Sequence, residues 1–87
     1  MPLIRSDESP SDSVTGAVCF VMQDGDQAVP CRVAREFLED MAATAGIAAG
    51  PSLELFRTFR TDIEAVATLR YENLGPDGEG LVWVRPG

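Results

Sequence analysis

Two cysteines, seven basic residues and fourteen carboxylates hold the chemistry open to this 87-residue chain, which contains no histidine. Every basic residue is an arginine: Arg5, Arg32, Arg35, Arg57, Arg60, Arg70 and Arg85. Without imidazole or amine, the chain lacks the usual general base and proton shuttle and has no group for a Schiff base. Only a carboxylate could activate Cys19 or Cys31, and negative charge nearby raises a thiol's pKa, which disfavours the reactive thiolate. The two cysteines stand twelve positions apart, a spacing that fits no CxxC redox or zinc pattern. Both read as small buried hydrophobes. Glu36, Glu39 and Asp40 fall together on the polar side of a helix and read as a solvated face rather than as metal ligands. The run "GPDGEG" has glycines but no lysine and no helix after it, so it is a turn and not a phosphate cradle. We therefore expect no enzyme, and no catalytic, cofactor-binding or metal-ligating residues.

The formal net charge of −7 opposes a nucleic-acid partner, because a duplex binder needs a positive patch to displace counterions. No apolar run approaches the roughly 20 residues that span a bilayer. The first residues, "MPLIRSDESPSDS", have neither the basic start nor the apolar centre of a secretion signal. A cytoplasmic protein with reduced cysteines and no membrane partner is the expectation.

These side chains need elements to position them. Residues 1–13 are rich in Ser, Asp and Pro with no hydrophobic period and read as a mobile tail, so deleting residues 1–12 should leave the melting temperature nearly unchanged. The domain proper is then 14–87. "VTGAVCFVMQDGDQAVPCRVA" holds two β-prone runs around Asp24-Gly25, a strong hairpin signal. With those two residues as the loop of a type I′ turn, Phe20 pairs with Val29. Val18, Phe20 and Met22 share a face with Val29, Cys31 and Val33, while Cys19 takes the opposite face beside Pro30 and Arg32. A three-residue loop would instead set Cys19 opposite Cys31. Pro30 cannot donate to a ladder, so its strand belongs at an edge or carries a bulge.

"VAREFLEDMAATAGI" is an amphipathic helix with Ala34, Phe37, Leu38, Met41, Ala42 and Ala45 on one stripe. Gly46 stands where a left-handed stop is wanted. A longer helix follows, about Ser52 to Leu74, with Leu55, Phe56, Phe59, Ile63, Val66 and Ala67 on its apolar side. Gly75-Pro76 ends it, and Leu81–Val84 is a last strand. The order β-β-α-α-β predicts a small two-layer α+β domain, an antiparallel hairpin plus a C-terminal strand packed against two helices. We expect that third strand to join antiparallel. A thin core and an open sheet edge favour a homodimer.

"VCFVMQDGDQAVPCRVAREFLED" followed by "LFRTFRTDIEAVATLRYENLG" resembles the small bacterial proteins grouped as domain of unknown function 1488. The residues that carry the likeness are Val18, Phe20, Gly25, Cys31, Arg32, Val33, Phe56, Arg60, Ile63, Glu64, Ala67, Arg70 and Tyr71. It extends over about residues 14–85. Two positions depart from the pattern: Ala34 stands where the family often has a Ser cap, and the chain ends "WVRPG" rather than in an acidic residue and Phe. The resemblance implies a fold and a bacterial source, and no activity.

Arg70 falls within the apolar stripe of the long helix, and Arg60 flanks it. Near a helix C-terminus a cation is favoured, and the stem of Arg70 can lie on apolar neighbours with its head in water. The structural role is the first reading of Arg70. The functional one makes Arg32, Arg60, Glu64, Arg70 and Tyr71 a candidate interaction surface, since Arg and Tyr are enriched where proteins meet. The function expected on these grounds is a non-catalytic interaction or adaptor module that self-associates or binds another protein. The alternative is a small regulator holding an anionic small molecule through Arg32, Arg60 and Arg70.

Overall fold

The computed structural model describes residues 3–86. Its elements run β1 (Ile4–Arg5), β2 (Ser11–Asp12), β3 (Val18–Asp24), β4 (Gln27–Val33), α1 (Arg35–Ala45), α2 (Ser52–Thr58), α3 (Arg60–Leu74) and β5 (Val82–Val84). The two-layer α+β arrangement expected from the sequence is present, with a mixed five-stranded sheet on one side and the helices on the other.

The hairpin β3–β4 forms around the Asp-Gly signal, but its loop is Gly25-Asp26 and not Asp24-Gly25. Asp24 pairs with Gln27, Met22 with Val29, Phe20 with Cys31 and Val18 with Val33. Gly25 has φ 61°, and among the described residues no residue other than glycine has positive φ. Positive φ at the first loop residue alone is the type II′ arrangement, which asks nothing unusual of an aspartate, whereas the expected type I′ turn does. The pairing moves by two residues, so the faces are unchanged. The gain is in packing: three apolar residues of β3 lie directly opposite three of β4. In the expected register, Met22 would have faced Gln27 and Val33 would have faced Gly16.

Cys19 pairs with Arg32, so the two cysteines stand on opposite faces, as expected, and both are free. Pro30 also finds the place its missing N–H requires. The last strand pairs only with Cys31–Val33, which leaves the outer side of β4 open at Pro30.

That strand, β5, lies parallel to β4 and not antiparallel. The reason is the path of the chain. β4 runs into the helix layer, and α3 carries the chain back to the starting end of the sheet, the crossover that parallel neighbours need. The Asp77 carboxylate then accepts the backbone N–H groups of Glu79 (2.8 Å) and Leu81 (3.0 Å), a compact turn that launches β5. Those two bonds hold its carboxyl below the usual range.

The N-terminal residues depart furthest from expectation. From Leu3 onward they do not form a free tail. β1 and β2 both pair antiparallel with β3, covering its outer edge, and Leu3 is buried in the core. An uncovered edge strand offers a row of unpaired backbone groups, and this segment caps it. Residues 1–2 of the expected tail lie outside the described residues.

α1 starts at Arg35 without a side-chain cap, consistent with Ala34 at that place. It stops as expected. Gly46 is left-handed (φ 74°), and Ile47 donates to the carbonyl of Ala42, closing a Schellman turn. The expected long helix bends at Phe59 (φ −108°, ψ 17°) into α2 and α3. The apolar stripe passes through the bend, with Leu55, Phe56, Ile63 and Ala67 all buried. They pack on Val18, Phe20, Met22, Val29, Cys31, Val33, Val82 and Val84 from the sheet, together with Leu38 and Ala42 of α1, as one core cluster.

Candidate interaction surface

Glu64 joins two arginines from two elements. Arg60, one helical turn before it, donates from Nε to its Oε2 at 3.0 Å. Arg5 of β1 grips the same carboxylate with two bonds, Nε to Oε2 at 2.9 Å and Nη2 to Oε1 at 2.8 Å. The Arg60 guanidinium also lies over the Phe56 ring, 5.4 Å from its centroid. Burial pushes the Glu64 carboxyl up, but the hydrogen bonds and charges of Arg5 and Arg60 outweigh it and hold the group below the ordinary glutamate value. The carboxylate therefore binds its proton less readily in the folded chain than in the unfolded one. Its stabilising effect is complete above the unfolded pKa of about 4.3 and is lost as the pH falls through the lower, folded value.

Glu64→Gln is expected to cost about 1–2 kcal/mol at pH 7, the range for losing charge-assisted bonds at a partly exposed site. The gap from wild type should shrink as urea titrations are taken below about pH 4. A gap that stays constant with pH would show that the charge of Glu64 is not what stabilises.

The neighbouring candidates are also engaged within the chain. Tyr71 donates its hydroxyl to Oδ2 of Asp24 at 2.8 Å, tying α3 to the end of β3, and that bond to a carboxylate raises the phenol's pKa. Arg70 reaches from the last turns of α3 to the carbonyl of Arg85 at 2.8 Å. It thereby anchors the chain just past β5, a structural role, although with a different carbonyl from those of its own helix. So four of the five candidate residues, Arg60, Glu64, Arg70 and Tyr71, lie on α3, and each is hydrogen-bonded within the chain.

Arg32 stands apart. Strand alternation puts it on the sheet face away from the helices, opposite the buried Cys31 and Val33. Its guanidinium lies 5.3 Å from the centroid of the Trp83 ring, and that of Arg85 lies 5.9 Å from the same centroid. Both distances fit cation–π contact. The Arg32 Nε is buried with no hydrogen-bond partner. Beside this group, Cys19, Val21, Pro30, Arg32 and Leu81 line a concavity of about 250 Å³, closed on one side by Glu8, Ser9 and Ser11. The sequence offered one signal for this surface: Val82-Trp83-Val84 alternates, so burying the valines turns the only tryptophan outward. Its pairing with Arg32 and Arg85 depends on the parallel register of β5, which was not legible.

The cysteines differ in reach. Cys31 is 1% exposed, and burial pushes its thiol up to about 12, while Cys19 is half-buried on the open face. A thiol reagent should therefore modify Cys19 in the folded protein and reach Cys31 only on unfolding, for a total of two. A disulfide recovered from fresh protein, or equal native rates, would contradict the strand register. Among the described residues, no three His, Cys, Asp or Glu side chains come together as a set that could hold a metal ion. Nor is any helix among them long and apolar enough to cross a membrane.

The family model described as "Protein of unknown function (DUF1488)" matches residues 7–84. The chain is also similar to a crystal structure of a protein of unknown function from the DUF1488 family, from Shewanella loihica PV-4. The two are 28% identical and superpose with a TM-score of 0.78, over 95% of this chain and 91% of that one. No curated protein matches.

Proposed function

We propose a non-catalytic interaction role for this chain from the following premise: it belongs to the DUF1488 family, whose description is that of a protein of unknown function. Membership brings a fold and no activity, so the reading rests on the surface. One observation carries it. On the sheet face that the helices leave open, Trp83 lies within cation–π distance of the guanidiniums of both Arg32 and Arg85. Tryptophan and arginine are the residue types that most often dominate protein–protein binding, because a rigid, half-buried aromatic loses little entropy when it is covered. The lack of histidine and lysine and the raised thiol of Cys31 support a role without catalysis.

Both forms of the reading use this face: a second copy would make a two-fold dimer, and another protein would make a heterologous complex. The alternative of one anion held jointly by Arg32, Arg60 and Arg70 gains no support. Arg32 lies on the open sheet face, while Arg60 and Arg70 lie on α3 and bond to Glu64 and Arg85.

The test combines sedimentation velocity over a range of concentrations with a low-salt pull-down, using Arg32→Ala/Trp83→Ala as the comparison. Circular dichroism establishes that this variant is folded. Self-association or a captured protein that disappears with the variant supports the reading. A monomer with no partner, or a complex indifferent to the variant, overturns it.

A further inference from the structure

We propose that the groove between α1 and the start of α3 is a docking site for a cationic amphipathic helix of a partner protein. The groove encloses about 400 Å³ and is lined by Phe37, Asp40 and Met41 of α1, Phe59 at the bend, Asp62 of α3, and Pro86. Its apolar part is the half-buried Phe37, Met41 and Phe59, whose remaining surface faces solvent and not the core. Asp40 and Asp62 stand exposed, one contributed by each helix. No arginine is among the lining residues.

The volume suits one or two bulky apolar side chains rather than a whole hydrophobic helix. An amphipathic helix laid into a groove supplies these as anchors at helical spacing, and methionine in the floor adapts to their shape. Charge selects the occupant. The two rim carboxylates, in a chain of net charge −7, match lysines or arginines flanking the anchors and repel an acidic segment. A second copy of this chain carries the same −7 and lacks that complementarity. The groove belongs to the helix layer and the Trp83 surface to the opposite sheet face, so this proposal is separate from the preceding one.

The experiment titrates the full chain, labelled for amide NMR, with a short synthetic leucine/lysine amphipathic peptide and with its leucine/glutamate counterpart. The expected result is binding of the lysine peptide alone, with shift changes centred on Phe37, Met41 and Phe59. Asp40→Asn/Asp62→Asn, an exposed pair whose fold circular dichroism checks, should weaken binding about tenfold at low salt, the effect of two surface ion pairs. Met41→Glu should abolish it. Absence of binding, changes scattered over the acidic surface, or an affinity unmoved by the Asn pair would overturn the proposal. Changes gathered around Arg32 and Trp83 would also overturn it, while leaving the sheet-face reading standing.

Discussion

Replacing Phe56 with Ala is expected to remove about 3–5 kcal/mol of folding free energy, the range for truncating a buried aromatic. Phe56 is fully buried and stands where both layers meet. Its ring lies 4.9 Å from that of Phe20 at an angle of 43°, a tilted contact within the favourable range for aromatic pairs. The Arg60 guanidinium lies over the same ring. Truncation therefore opens a cavity between α2 and the centre of β3, and it also removes the surface on which Arg60 rests. A domain of this length has a total stability of roughly 4–13 kcal/mol. The variant should accordingly melt about 12–40 °C lower, taking about 4–8 °C per kcal/mol for small domains. Urea titration measures the loss directly. A loss below about 1 kcal/mol would mean that the site collapses around the missing ring or that the stripe of α2 does not face the sheet.

Deleting residues 1–12 should be nearly as damaging, the reverse of what their composition suggests. The deletion takes Leu3 out of the core, a loss of about 2–5 kcal/mol by analogy with buried leucine truncations. It also removes Arg5 from Glu64, leaving that carboxylate with Arg60 alone. Finally, it strips β1 and β2 from β3 and exposes an edge able to pair with other chains. The expected outcome is a markedly lower melting temperature together with aggregation that grows with protein concentration. Leu3→Ala in the full chain separates the two effects, since it loses the buried side chain and keeps the edge covered. An unchanged melting temperature for the deletion would mean that the N-terminal strands do not hold the sheet.

That contrast shows where sequence reasoning succeeds in this chain. The hairpin, the face assignments of Val18 to Val33, the stripe of α1 and its stop at Gly46 were all legible. Each depends on local chemistry: period two in a strand, period 3.6 in a helix, and a glycine where positive φ is needed. The exact pairing of the hairpin was not legible, because two registers differing by two residues present the same faces. Packing of opposed apolar pairs decided between them. The bend at Phe59 carries no proline or glycine to announce it. The N-terminal strands are two residues each, too short for any period to show.

The candidate surface divides in the same way. Arg60 and Glu64, four residues apart on one helix, were a pair that spacing alone could suggest. Their third member, Arg5, lies 59 positions from Glu64 and enters only because β1 pairs with β3. Arg32 and Trp83 meet only because the crossover through α1, α2 and α3 brings β5 back parallel to β4. By itself, then, the sequence determined the kinds of element, their order, the faces they bury and the lack of histidine and lysine side chains. The tertiary structure decided which edge the N-terminus covers, which way the last strand runs, and which arginines are committed to holding the fold. The physical reason is range: propensity and periodicity act over a few neighbouring residues, whereas strand partnership and ion pairing are settled by whichever distant segments the shared core brings together.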